Sequence, residues 1–369
     1  MLSYYFYGEV DVVDHKQVTT KHPELITTSA ARPTERFVFS ATPTSLTLPH
    51  LTMDLFTSLP STTTALSLLA LLPILYLYTA LSSSTFPTLR STRILLLIAH
   101  PDDEAMFLSP CLTRLTDPAL NNAFRILCLS SGNADGIGDV RRKELKASAR
   151  ILGDGRIGEG AVEVLDDKEL PDSMQVQWSE KHIADLLIKT YAPALAGEGN
   201  GKRGKAAGSA ASARGRASDL DVGVDVIITF DSRGVSSHPN HISCHLGALA
   251  FLDALMAGRE GWACPVDVYT LTSVPIWRKY MSVMDLLFTV LAVMLALTSR
   301  GMKAKAKGRK KEAERERPSV LFFVSGPGEW WRGIRAMTEA HISQMRWFRW
   351  GWIGLSRYMV MNDLRRVGR

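Results

Sequence analysis

From Leu55 to Leu89 the chain carries no charged residue, and the centre of that run reads ALSLLALLPILYLYTAL. A helix needs about 20 residues to cross the hydrocarbon core of a bilayer, and this run is long enough. A buried core helix of that length would ordinarily keep a polar face, which is missing here. No basic segment precedes the run and no clear A-x-A site follows it, so a cleaved signal peptide is disfavoured. The expectation is one transmembrane helix at 63–82. Asp54 lies before it and Arg90 and Arg93 after it, which puts the downstream chain in the cytoplasm by the positive-inside rule.

The remaining length of a 369-residue chain suits one main domain with additions. A formal charge of +6 suits an anionic membrane leaflet as well as nucleic acid, so the placement of the charge has to decide. Cys111, Cys128, Cys244 and Cys264 are widely spaced with no C-x-x-C pair, which suggests neither a zinc cluster nor a disulfide framework. Residues 1–52 are Thr/Ser/Pro-rich without periodicity and read as a disordered tail, or as an extension upstream of a working start at Met53.

Past the apolar run, strands and helices alternate. RILLLIA (93–99), FRILCLS (124–130), AVEVLDD, VDVIITF (224–230) and VDVYTLTSV (266–274) are short and apolar, as buried parallel strands are. Between them EAMFLSPCLTRL, DVRRKELKASARILG, SEKHIADLLIKTY (with Ser179 as N-cap) and HISCHLGALAFLDAL have helical spacing. The expected fold class is α/β, a Rossmann-like parallel sheet with helices on both faces, preceded by the transmembrane helix. No G-x-G-x-x-G follows the first strand, so no dinucleotide is expected.

The domain proper is expected over 91–276, with a Gly/Ala/Ser/Arg low-complexity insertion at 196–219. The apolar segment 281–299 is short for a span and reads as interfacial or re-entrant. A basic linker follows at 301–319, and order returns over 320–369, where Trp330, Trp331, Trp347, Trp350 and Trp352 alternate with arginines. Beside a membrane anchor that mixture suits the bilayer interface better than nucleic-acid stacking, and no specific nucleic-acid partner is expected.

Ligands of open parallel sheets bind beyond the carboxyl ends of the strands. There the first strand runs into AHPDDE, the second into SSGNADGIG and the fourth into DSRGVSSHPNHISCH. His100 and Asp103 offer an imidazole and a carboxylate suited to zinc, with Asp102 beside them. A third ligand would come from His238, His241 or His245, among which spacing does not choose. Each signal has a bland counterpart: a hydrogen-bonded His–Asp pair, or acids stabilised at a helix N-terminus. Glu104 fits that second role, bracing the helix that follows. Both motifs together point to a catalytic metal site of three ligands and a free acid.

AHPDDE, SSGNADGIGDVRRKEL, ITFDSRGVSSHPNH and the terminal AHISQMRWFRW…SRYM resemble the N-acetylglucosaminyl-phosphatidylinositol de-N-acetylases of GPI-anchor synthesis, within the wider LmbE-like zinc deacetylases. The resemblance covers about 93–276 and the segment from about 320. It implies that His100, Asp103 and His241 hold Zn2+, that Asp102 is the general base, and that His238 stabilises the oxyanion or protonates the leaving amine. A raised His238 pKa, through Asp231, would favour the second task. His245 is then left over. Iron or cobalt suit the same ligands.

The resemblance further implies a glycolipid substrate and an endoplasmic reticulum membrane location with the catalytic domain cytoplasmic. Asn133, Asp135, Arg142 and Asp231 are candidates for shaping the sugar or inositol phosphate pocket. Gly132, Gly136 and Gly138 read equally as turn residues, the Arg142/Glu144 pair as solvated, and His341 as a packed histidine. Two other readings stand beside this one: a zinc deacetylase of another N-acetyl sugar conjugate, and a non-catalytic membrane scaffold.

Overall fold

The computed structural model describes residues 62–82, 85–197, 222–306 and 317–368. The expected tail at 1–52, nearly all of the 196–219 insertion and the greater part of the basic linker lie outside them.

The uncharged run does form a helix, α1 (Thr62–Ser82), with Pro73 inside it. Among the described residues, however, no helix is long and apolar enough to cross a membrane, so the crossing expected at 63–82 is not supported. The second half of α1 has a domain-facing side: Leu75, Tyr76 and Ala80 pack against a small core that includes Val320, Phe322 and Val324. Tyr76 donates its hydroxyl to the Ser325 carbonyl at 2.7 Å, a contact that fixes the helix to protein.

The strands follow as β1 (Arg93–Ile98), β2 (Ala123–Cys128), β3 (Val162–Val164), β4 (Val226–Phe230), β5 (Asp267–Leu271), β6 (Val320–Val324) and β7 (Met361–Arg366). They form one sheet in the order β3-β2-β1-β4-β5-β7-β6. The first five are mutually parallel, with Leu96 of β1 level with Ile126 and Ile228. β7 runs antiparallel to both β5 and β6, so the sheet is mixed where an all-parallel one was expected.

β7 escaped the sequence reading because MNDL lacks the apolar continuity of a central strand, yet all four residues are buried. Its polar side chains find partners instead. Asn362 donates to the Phe107 carbonyl at 2.8 Å and accepts the Cys111 N–H at 3.0 Å, while Asp363 pairs with the buried Arg357 at 2.9 Å.

The β1–β2 crossover is two helices, α2 (Asp103–Met106) and α3 (Ser109–Leu115), rather than the single helix expected, because the chain leaves helical geometry at Leu108. α4 (Gly138–Leu152) ends at Gly153, and α5 (Glu180–Tyr191) is capped by Ser179, both as expected. α6 (Pro239–Met256) packs on α5. Right-handed crossovers moving outward in opposite directions from β1 and β4 put α2–α4 on one face and α5–α6 on the other. Between β1 and β4 the loops therefore diverge and leave a crevice above the strand ends. α7 (Leu286–Ala306), α8 (Pro327–Arg335) and α9 (Trp347–Leu355) follow, α7 covering β6 through Val290 and Val293.

Candidate active site

β1 delivers its polar loop into the crevice buried, and the loop turns on Asp102, whose φ of 116° lies in the left-handed region that favours glycine. The backbone N–H groups of Ala99 and His100 donate to Asp103 Oδ2 at 3.1 and 2.9 Å, which fixes that carboxylate and leaves Oδ1 aimed across the crevice. Oδ1 lies 3.1 Å from His241 Nε2. Burial pushes the Asp103 carboxyl up, but His241 and then His100 outweigh it and hold the group well below the usual range.

β4 supplies the opposite wall. His241 stacks on Phe230, rings 4.0 Å apart and nearly parallel, and its Nδ1–H donates to the Gly234 carbonyl at 3.0 Å. That bond places the proton on Nδ1 and turns Nε2 toward Asp103, the usual arrangement of a metal-binding imidazole. Gly234 has a φ of 57°, and a Cβ there would meet His241 Cβ at 2.9 Å, so only glycine permits the approach. His238 caps α6, its Nδ1 accepting the Asn240 N–H at 3.2 Å, so its own proton sits on Nε2.

His100, Asp103 and His241 place one ligand atom each within 4.8 Å of one another, and all three are buried. His100 Nε2 is buried without a hydrogen-bond partner. Two imidazoles and a carboxylate with a donor left unsatisfied fit a divalent ion that keeps an open coordination position. Of the three candidates for the third ligand, His241 is the one joined to His100 and Asp103; His238 groups with His100 and the less buried Asp172 instead, and His245 belongs to neither group.

The expected cationic His238 is overturned. Burial, then His241 and His100, lower its pKa to about 3, and Asp231 is not among the causes. Asp231 instead accepts from Ser273 and from the Arg233 and Gly234 N–H groups, bracing the loop below His241. Asn133 accepts the Gly138 N–H at 2.9 Å, and Asp135 is exposed in the same turn. Arg142 pairs with the largely exposed Asp166 at 3.0 Å. Asn133 and Asp135 thus lie in one turn, while Arg142, on α4, reaches the segment after β3.

Four groups in or against the site were not anticipated in those roles. Asp172 lies 3.3 Å from His100 Nε2, brought there because the Pro171 carbonyl accepts from both Asn240 and Trp178. Arg141 reaches Asp172, the Pro101 carbonyl and the Gly132 carbonyl. Gly132 is needed for this, since a Cβ there would fall 2.1 Å from the guanidinium. Arg349 donates to Asp102 Oδ2 at 2.6 Å. His341, packed as expected, also contacts Glu104 at 2.6 Å, and Glu104 in turn accepts the Ser148 hydroxyl and the Asp102 N–H. Glu104 thus braces the Asp102 peptide as well as its helix. Burial pushes the Asp102 carboxyl up, but Arg349 and then Arg141 outweigh it and leave the pKa below its ordinary value. None of these partners has a local spacing signal; the G-N-A-D-G glycines were the nearest hint.

The family whose description is "PIG-L: GlcNAc-PI de-N-acetylase" matches residues 95–252, which enclose both walls of the crevice. An N-acetylglucosaminyl-phosphatidylinositol de-N-acetylase of Arthroderma benhamiae is 40% identical over 314 residues, covering 76% of this chain and 89% of that protein. A probable enzyme of the same name from Schizosaccharomyces pombe is 33% identical, covering 78% and 91%, and one from Bos taurus is 31% identical, covering 74% and 83%. With the two wall motifs in place and similarity extending over most of its length, the chain belongs to the N-acetylglucosaminyl-phosphatidylinositol de-N-acetylase family.

Proposed function

We propose that this enzyme hydrolyses the N-acetyl group of N-acetylglucosaminyl-phosphatidylinositol, giving glucosaminyl-phosphatidylinositol and acetate, the second step of GPI-anchor synthesis. The observation that carries the mechanism is the juxtaposition of the His100–Asp103–His241 ligand set with Asp102, an acid next in sequence to a ligand but outside the set.

A divalent ion held by His100, Asp103 and His241 would supply Lewis acidity toward the amide carbonyl and toward a water molecule. Zinc is the ion favoured by two imidazoles and one carboxylate. Asp102, ionised, takes the proton from the attacking water. His238, neutral with its proton on Nε2, donates a hydrogen bond to the carbonyl oxygen as negative charge gathers there. The proton held by Asp102 then passes to the nitrogen as the C–N bond breaks, giving the free amine and acetic acid, and the acid's remaining proton goes to the amine or to solvent to leave acetate. Arg141 and Asp172 border the same space and restrict how a sugar enters it.

A lipid substrate requires contact with a membrane surface, for which the exposed Leu287 and Leu291 of α7 and Trp347 and Trp350 of α9 are suited. We place the enzyme at the endoplasmic reticulum membrane with its catalytic domain on the cytoplasmic side. The test offers the full chain N-acetylglucosaminyl-phosphatidylinositol and short soluble N-acetylglucosamine conjugates, with and without a chelator, and measures released acetate. Release unaffected by chelation would remove the metal mechanism, and preference for the soluble compounds would replace the glycolipid by another N-acetyl sugar conjugate.

A further inference from the structure

The proton acceptor of this site is held from a part of the chain beyond the residues 95–252 that match the family description. Arg349, on α9 and 5% exposed, donates from Nη2 to Asp102 Oδ2 at 2.6 Å. Arg141 Nη2 stands 3.6 Å from the same oxygen. Among the described residues no hydrogen bond engages Oδ1. The contact is one of three that the same segment makes to the loop of the base. His341 bonds Glu104, which accepts the Asp102 N–H at 3.2 Å, and Trp352 donates its indole N–H to the Met106 carbonyl at 3.1 Å. Arg349 also rests against Met106 Sδ.

A carboxylate has two equivalent oxygens, and rotation about its Cβ–Cγ bond exchanges them. A base that must meet one water molecule along one direction works only while that rotation is stopped. The Asp102 backbone is already held in an unfavourable conformation, so its side chain needs a restraint independent of its own dihedral preferences. We propose that Arg349 is the positioning residue of the base: its guanidinium engages Oδ2, fixes the plane of the carboxylate and reserves Oδ1 to take the proton from water. Arg141 does not substitute for it, because its two terminal nitrogens are committed to the Gly132 and Pro101 carbonyls. Arg349 itself touches no reacting atom. A planar guanidinium suits the task where an ammonium would supply charge without a fixed plane.

The proposal rests on the deacetylase reading, and its test separates the two. Acetate release from N-acetylglucosaminyl-phosphatidylinositol is followed for the full-length wild type, Arg349→Ala and Arg349→Lys, together with bound zinc per chain. Arg349→Ala is expected to lose about 100-fold in kcat, with KM within about twofold and zinc content unchanged. Arg349→Lys is expected about midway on a logarithmic scale. Millimolar methylguanidinium should restore part of the kcat of Arg349→Ala and do nothing for Asp102→Asn.

A kcat for Arg349→Ala within about threefold of the wild type would overturn the proposal. So would a loss that appears in KM or in zinc content, or a failure of methylguanidinium to rescue. If Arg349→Ala does not fold, Arg349→Lys decides: a fall in kcat of about tenfold at constant KM supports the role, and wild-type kcat refutes it. A wild type that releases no acetate removes the deacetylase reading and this role with it, whereas an active wild type matched by its variants removes only the role of Arg349.

Discussion

The crevice holds two groups of side chains built on different plans, a ligand wall drawn from both β1 and β4 and a base wall around the proposed base, Asp102. On the ligand wall, His100 and Asp103 follow the end of β1 within five residues and His241 sits in the first turn of α6, and short local bonds aim them: two backbone N–H groups for Asp103 and the Gly234 carbonyl for His241. On the base wall, Asp102 is hydrogen-bonded by Arg349, with Arg141 further off at 3.6 Å, and its neighbour Glu104 by His341, Arg349 and His341 lying over two hundred residues away in sequence. A metal site tolerates assembly from local pieces because the ion itself completes the geometry. An acid outside the ligand set has no such organiser, and here the fold holds it from several sides.

The sharpest break between the walls comes from the ligand side. His241→Ala should abolish metal binding and bring acetate release to background, a loss on the order of 10⁴-fold or more, read by metal analysis beside the assay. Asp102→Asn should cost about 10²–10⁴-fold in kcat while the bound metal stays at the wild-type level. Metal loss in that variant would move Asp102 to the ligand wall and dissolve the distinction.

Smaller effects test how the base wall is held together. His341→Gln leaves the fully buried Glu104 without its ion partner and should cost about 3–5 kcal/mol in urea unfolding. The cost should depend on pH. Burial lowers the His341 pKa, but Glu104 outweighs it and the net shift is upward. A raised folded-state pKa stabilises fully below the unfolded value of 6.5 and is lost as pH rises through the folded value, so wild type and variant should converge at alkaline pH. Convergence on acidification instead would refute the pairing. Least of all, Arg142→Ala removes a solvent-facing pair and should change stability by no more than about 0.5 kcal/mol and kcat/KM by less than about twofold.

The same division governs what could be read from the sequence. The parallel half of the sheet was legible because RILLLIA and VDVIITF are buried on both faces and so are continuously apolar, and His100 and Asp103 were legible because they follow the first of these strands directly, whereas spacing left His241 undistinguished from His238 and His245 and the family resemblance alone chose it. β7 was not, since Asn362 and Asp363 sit where a central strand ordinarily carries Val or Ile and are satisfied by Phe107, Cys111 and Arg357, contacts without a local signature. The expected charged His238 failed for a related reason. Proximity of Asp231 along the chain suggested a partner, but that carboxylate turns to Ser273 and the loop, leaving the imidazole among other histidines. The apolar run at 63–82 was read by length and charge alone, and the half of it that folds onto the domain through Tyr76 and Ala80 has no counterpart in a hydropathy pattern.

The position of β7 has a consequence for biosynthesis. It lies between β5 and β6, so β6 cannot join the sheet until Met361–Arg366 have left the ribosome and been inserted beside it. The order of synthesis and the order of assembly are reversed over this stretch. Residues 320–324 can be covered by α1 and α7, which precede them in the chain, but the ladder partner of their backbone N–H and C=O groups is translated some forty residues later, and during that interval this strand is an open edge.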